Sequence, residues 1–111
     1  MLACAALLAS VQPAAGVTGR EWIRLPPPAR AAYVAAIVDA WNNLAAVQES
    51  LGVRDRAVTG FTDVVGCVRE RLMAPPQILA VVERYAQDHP GLLGKDMPDV
   101  VFAALTDACR R

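Results

Sequence analysis

The chain has 111 residues, the size of one domain. Its residues are 55% hydrophobic and 20% charged, a balance opposite to that of a disordered chain. Eleven basic residues cancel eleven acidic ones, so no broad field draws the molecule to nucleic acid or to anionic lipid.

The first nineteen residues carry no charge. Met-Leu-Ala-Cys-Ala-Ala-Leu-Leu-Ala has the length of a signal-peptide apolar region and is too short to span a bilayer. Small residues follow Pro13, and cleavage after Gly16 or after Ala15 satisfies the small-residue rule. Residues 1–16 are therefore expected to be a signal peptide and residues 17–111 a single helical domain. The expected basic opening is missing, so either the true start lies upstream or the segment is an apolar N-terminal helix on the core. Cys4 has too few residues before it for a lipoprotein signal.

Residues 17–20 read as a flexible start. Residues 21–25 form one turn of helix, with Trp22, Ile23 and Leu25 as anchors. Pro26, Pro27 and Pro28 stop it, and Pro28 suits the first position of the next helix, where a missing N–H costs nothing. Residues 29–51 are the strongest element, Ala-rich and free of internal Gly or Pro. Tyr33, Val34, Ile37, Val38, Trp41, Leu44, Val47 and Leu51 recur in steps of three and four, which predicts one broad packing stripe. Gly52 suits the C-terminal cap.

Residues 53–60 read as a polar connector. Thr62 is placed to cap a short helix carrying Val64, Val65, Val68 and Leu72, with Gly66 a weak point inside it. A second proline-started helix covers residues 76–87, with Ile78, Leu79, Val81, Val82 and Tyr85 on its apolar face. Pro90 ends it at His89. The last helix runs over residues 97–110, capped by Asp96, with Asp99 in its first turn. Val100, Val101, Phe102, Leu105 and Cys109 are its buried set. No segment alternates as a strand, and there is no internal repeat.

With a leader removed, Cys67 and Cys109 remain. An even pair in a short exported domain reads as a disulfide; in a cytosolic chain the same pair would be two buried thiols. If bonded, they close a loop of roughly 43 residues, worth about 4 kcal/mol by chain entropy.

Catalytic chemistry is missing from the pattern. His89, the only histidine, sits in a helix-ending Asp-His-Pro-Gly stretch with no nucleophile in view. One histidine and distant cysteines do not make a metal site. There is no Cys-x-x-Cys and no phosphate-binding glycine loop. Glu83 with Asp88, and Asp96 with Asp99, read as surface charge and capping rather than an acid–base pair. Trp22 and Trp41 read as core anchors. The pairs Arg54/Arg56, Arg69/Arg71 and Arg110/Arg111 read as solvated faces and a chain end. No catalytic, cofactor-binding or metal-ligating residue is expected.

The C-terminal half carries a recognisable order: Cys67, then Met-Ala-Pro-Pro-Gln-Ile from Met73, Val-Val-Glu-Arg-Tyr from Val81, His89-Pro90, and Val-Val-Phe-Ala-Ala-Leu from Val100 closing on Cys109. Upstream, Trp22 and Ala32-Tyr33-Val34 precede the long helix. Over residues 20–110 this pattern resembles the small periplasmic immunity proteins paired with type VI secretion amidase effectors, and their exported relatives. The resemblance implies an all-helical, disulfide-bonded periplasmic protein that inhibits a peptidoglycan-cleaving amidase by occupying its active site, often as a homodimer. It implies the pairing of Cys67 with Cys109. Characterised members carry further cysteines that this chain lacks, and no inhibitory loop can be matched.

The reading is thus an all-α small bundle of about four main helices with one disulfide, acting on a protein partner without turnover. The long helix is expected to pack on those at residues 76–87 and 97–110, and the bridge to tie the third helical region to the last. The alternative is a small disulfide-stapled periplasmic chaperone or stress protein, which would expose apolar surface as carboxylates protonate at low pH.

Overall fold

The computed structural model describes residues 16–53, 55–71 and 73–111. The expected leader, apart from Gly16, lies outside the described residues, as does Leu72. Among the described residues, five α-helices and one turn of 3-10 helix follow in order: α1 (Gly19–Ile23), α2 (Pro27–Leu51), α3 (Arg56–Glu70), α4 (Pro75–Asp88), the 3-10 turn Pro90–Leu92, and α5 (Met97–Arg110). Among the described residues no strand forms; the one bridge of strand type pairs Thr18 with Asp96.

The start of the domain is anchored rather than flexible. Thr18 and Glu21 form a reciprocal capping box, each side chain accepting the other residue's backbone N–H. The N–H of Gly19 donates to Lys95 O at 3.0 Å and that of Arg20 to Leu93 O at 2.9 Å, while Met97 N donates to Val17 O at 2.7 Å. Gly19 is required by this closeness: a Cβ there would stand 3.2 Å from the Leu93 Cα. Trp22 is buried and donates its indole N–H to Arg30 O. Ile23, expected to be an anchor, is 40% exposed, because a five-residue helix has room for one inward side chain and Trp22 takes it.

Prolines set the next starts. Pro27 and Pro28 occupy the first turn of α2, one residue earlier than expected, and α4 likewise opens at Pro75. At the head of α4, the Ala74 N–H donates to Gln77 Oε1 at 2.8 Å, so the glutamine supplies the cap that alanine cannot. Gly52 ends α2 in the left-handed conformation, φ 67°, with its N–H reaching Gln48 O and Glu49 O.

The connector expected over residues 53–60 is shorter, because α3 already begins at Arg56. Its first backbone bond runs from Thr59 N to Asp55 O. Thr62 does not cap: its hydroxyl donates back to Thr59 O, and that of Thr59 to Arg56 O, the habit of threonine inside a helix. The Asp96 side chain makes no capping bond at α5 either; the backbone carbonyl of Asp96 takes the N–H groups of Asp99 and Val100.

The core gathers Trp22, Val34, Val64, Val68, Ile78, Val82, Met97, Val100, Val101 and Leu105 with small Ala86 and Ala104 between them. The two alanines let α4 and α5 approach closely, and that pair forms the most extensive contact of the fold. α3 packs on α5, and α1 rests against the start of α5. α2 lies along α3 and α4 rather than along α4 and α5. It meets α5 through Trp41, whose ring stands edge-on to Phe102 at 5.9 Å and to Phe61 of α3 at 5.8 Å.

The Cys67–Cys109 disulfide joins α3 to α5, with the two Cα atoms 6.2 Å apart. One turn beyond it, the Arg71 guanidinium donates to Ala108 O at 2.8 Å and Cys109 O at 3.1 Å. A cation there fits the negative end of α5.

The single stripe expected of α2 divides. Val34, Val38, Trp41 and Ala45 turn to the core, whereas Leu44, Val47 and Leu51 are 47%, 53% and 74% exposed. Steps of three and four generate two seams about 100° apart round this helix, and only one faces the bundle.

Candidate functional site

Among the described residues a concavity opens on the flank of α2 away from its exposed seam. Val34, Ala35, Val38, Asp39 and Asn42 form one wall, Val68 and Arg69 at the end of α3 another, and Met73, Pro75 and Ile78 the third. Its volume is about 850 Å³, within the range of ligand clefts. The sequence explains why it is open. Positions 35, 36 and 40 are alanine, so this part of α2 has no long side chain to reach across. Pro75 and Pro76 prevent a helical link between α3 and α4, which leaves the mouth between them unfilled.

The floor is apolar, and the rim carries opposite charges from Asp39 and Arg69. The Asn42 Oδ1 is buried and finds no hydrogen-bond partner among the described residues. A buried acceptor without a partner is costly to the fold. The arrangement can bind an apolar segment between the two rim charges. Its lining holds no Ser, Thr, Cys or His side chain.

The other charged residues are spread out. Arg30 donates to Leu25 O at 2.8 Å and to Ile23 O at 3.4 Å, and its Nε lies 3.6 Å from the Glu83 carboxylate, so this pair locks the α1–α2 corner onto α4. Glu83 is thereby engaged structurally, and Asp88 lies 4.0 Å from Arg84 on the exposed face of α4. His89 stacks on Tyr85 with ring centroids 3.9 Å apart, and its Nδ1 lies 3.0 Å from Tyr85 O. It closes a helix end, as its sequence context suggests. Arg110 is exposed at the chain end, whereas Arg111 pairs with Asp107 at 2.6 Å. Arg54 lies outside the described residues. Among the described residues no three His, Cys, Asp or Glu side chains gather as a metal site, and no helix is long and apolar enough to cross a membrane.

Trp22 is the core anchor expected of it; Trp41 is half-buried and bridges three helices. Sequence reasoning assigned no binding surface. The groove residues escaped it because Ala35, Asp39 and Asn42 read individually as helix filler and polar face. The signal that marks them is their recurrence at i, i+4 and i+7 beside a proline-broken neighbour.

Comparisons with protein families, characterised proteins and solved structures found no match to the chain.

Proposed function

We infer that this chain is an exported binding protein of the immunity type, which holds a protein partner, a peptidoglycan amidase effector, and blocks it without turnover. The observation that carries the reading is the open apolar groove between α2, α3 and α4, rimmed by Asp39 and Arg69. An open apolar groove with few polar groups suits capture of a projecting segment of another protein. The disulfide fits an oxidising compartment such as the periplasm. The amidase as partner comes from the resemblance over residues 20–110.

The test is co-expression with a periplasm-directed cell-wall amidase encoded beside this chain, scored by survival and by calorimetric affinity. The wild type is expected to protect the cells and to bind with a sub-micromolar Kd. Ala35→Arg fills the groove from an exposed helix position without touching the core. It should weaken binding at least tenfold, about 1.4 kcal/mol, while leaving the melting temperature unchanged. Absence of binding to the amidase would refute the immunity reading. Undiminished binding by Ala35→Arg would remove the groove from it.

A further inference from the structure

The walls of the groove restrict the shape of a segment that enters it. Every backbone N–H of the lining is already engaged. Those in α2 and α3 lie inside helices and bond along them. The Met73 N–H donates to Val68 O at 3.1 Å, the Ile78 N–H donates to Ala74 O at 3.1 Å, and Pro75 has none. Only the side chains of Asn42 and Arg69 remain as donors. An extended segment pressed there would bury carbonyl groups without partners, which is costly. A helix brings its backbone bonds with it and offers the groove side chains alone.

Charge narrows the helix further. Asp39 borders the groove from α2 and Arg69 from α3. Both are exposed, and among the described residues neither makes an ion pair. Between them the floor is apolar, built from Val34, Val38, Val68, Met73 and Ile78. The wall from Val34 to Asn42 runs about 12 Å along α2, the length of roughly two turns of a facing helix. Resting on the role of the groove as a protein-binding site, we propose that it takes an amphipathic helix of the partner, whose apolar face carries a cation on one flank and an anion on the other.

Turning a helix end for end exchanges its flanks. One direction of docking therefore sets the cation beside Asp39 and the anion beside Arg69. Two like flanks always leave one rim charge facing its own sign, and that repulsion discriminates. Exposed pairs are weak, so the rim chooses among helices more than it holds them. The apolar opening of this chain itself, residues 1–9, has no charged side chain to meet either rim.

Three amphipathic helical peptides of about 14 residues test this. They share one leucine face and differ in their flanks: lysine on one and glutamate on the other, lysine on both, or glutamate on both. Binding to the full chain is followed by calorimetry at about 20 mM salt. The chain's formal net charge of zero keeps a general attraction from favouring one peptide. The mixed peptide should bind about fivefold more tightly than either other, and the gap should close by ~0.5 M salt. Asp39→Lys should bind the glutamate peptide best and Arg69→Glu the lysine peptide, with unchanged melting temperatures, since both positions are exposed. Ala35→Arg should lose the mixed peptide by tenfold or more. Val47→Glu, on the bare seam, should bind it as the wild type does. No binding of the mixed peptide at ~500 µM overturns the proposal. So do equal affinities for the three peptides, a preference that neither rim variant moves, or binding that Val47→Glu abolishes. No amidase enters these measurements. Peptide selection without amidase binding would refute the immunity reading alone, and amidase protection without peptide binding would refute the helical occupant alone.

Discussion

Arg71 and the Cys67–Cys109 bridge act on the same joint. The bridge fixes α5 to α3 covalently, and one turn away the guanidinium takes up the Cys109 carbonyl and shares that of Ala108 with the Arg111 N–H. Two devices at one joint are expected to be non-additive. Arg71→Ala should cost about 1 kcal/mol with the bridge intact, and more in a Cys67→Ala/Cys109→Ala background, where the guanidinium alone holds the helix end. A double-mutant cycle by urea denaturation measures the difference; equal costs in both backgrounds would show the two to be independent. At the other end of the domain, Gly19→Ala should lose about 1–2 kcal/mol, because its methyl group would press on the Leu93 backbone, which cannot rotate away.

Helix α3 shows what an element gains and loses through its glycines. Gly60 and Gly66 lie within it, and a Cβ at either would meet open space. Replacing each with alanine should therefore raise stability by roughly 0.5–1 kcal/mol, seen as a higher melting temperature. The same glycines explain why the sequence placed the start of this helix too late: Gly60 and the threonines read as connector, yet burial of Val64 and Val68 in the core shared with α5 carries the helix through them. Prolines and Ala-rich runs were easier. They placed α2, α4 and α5 to within two residues, since a proline start is a local steric fact. The division of α2 into a covered and a bare seam was not legible, because periodicity reports which residues are apolar and not which neighbour is close enough to cover them. The binding groove was equally hidden: it is a property of three elements meeting, and Pro75, Ala35 and Arg69 carry no sign of one another in sequence.

Across the whole molecule, cohesion depends on contacts distant in sequence. A loop of 43 residues closed by the bridge, spanning a sequence separation of 42, removes about 4 kcal/mol of unfolded-chain entropy on the chain-entropy estimate. That is a large part of the ~5–15 kcal/mol typical of a domain. Reduction should shift the urea midpoint down strongly while the ends of α4 and α5 keep their mutual packing; a midpoint unchanged by reductant would place the stability in the core alone. The pairing of residues 17–20 with residues 93–97 has a further bearing on how the molecule is made. A polypeptide leaves the ribosome, or threads a translocon, from its amino end, so Trp22 must wait some seventy residues for the strand of backbone that seats it. The amino-terminal turn therefore docks only once residues 93–97 have emerged, among the last steps in the making of the domain.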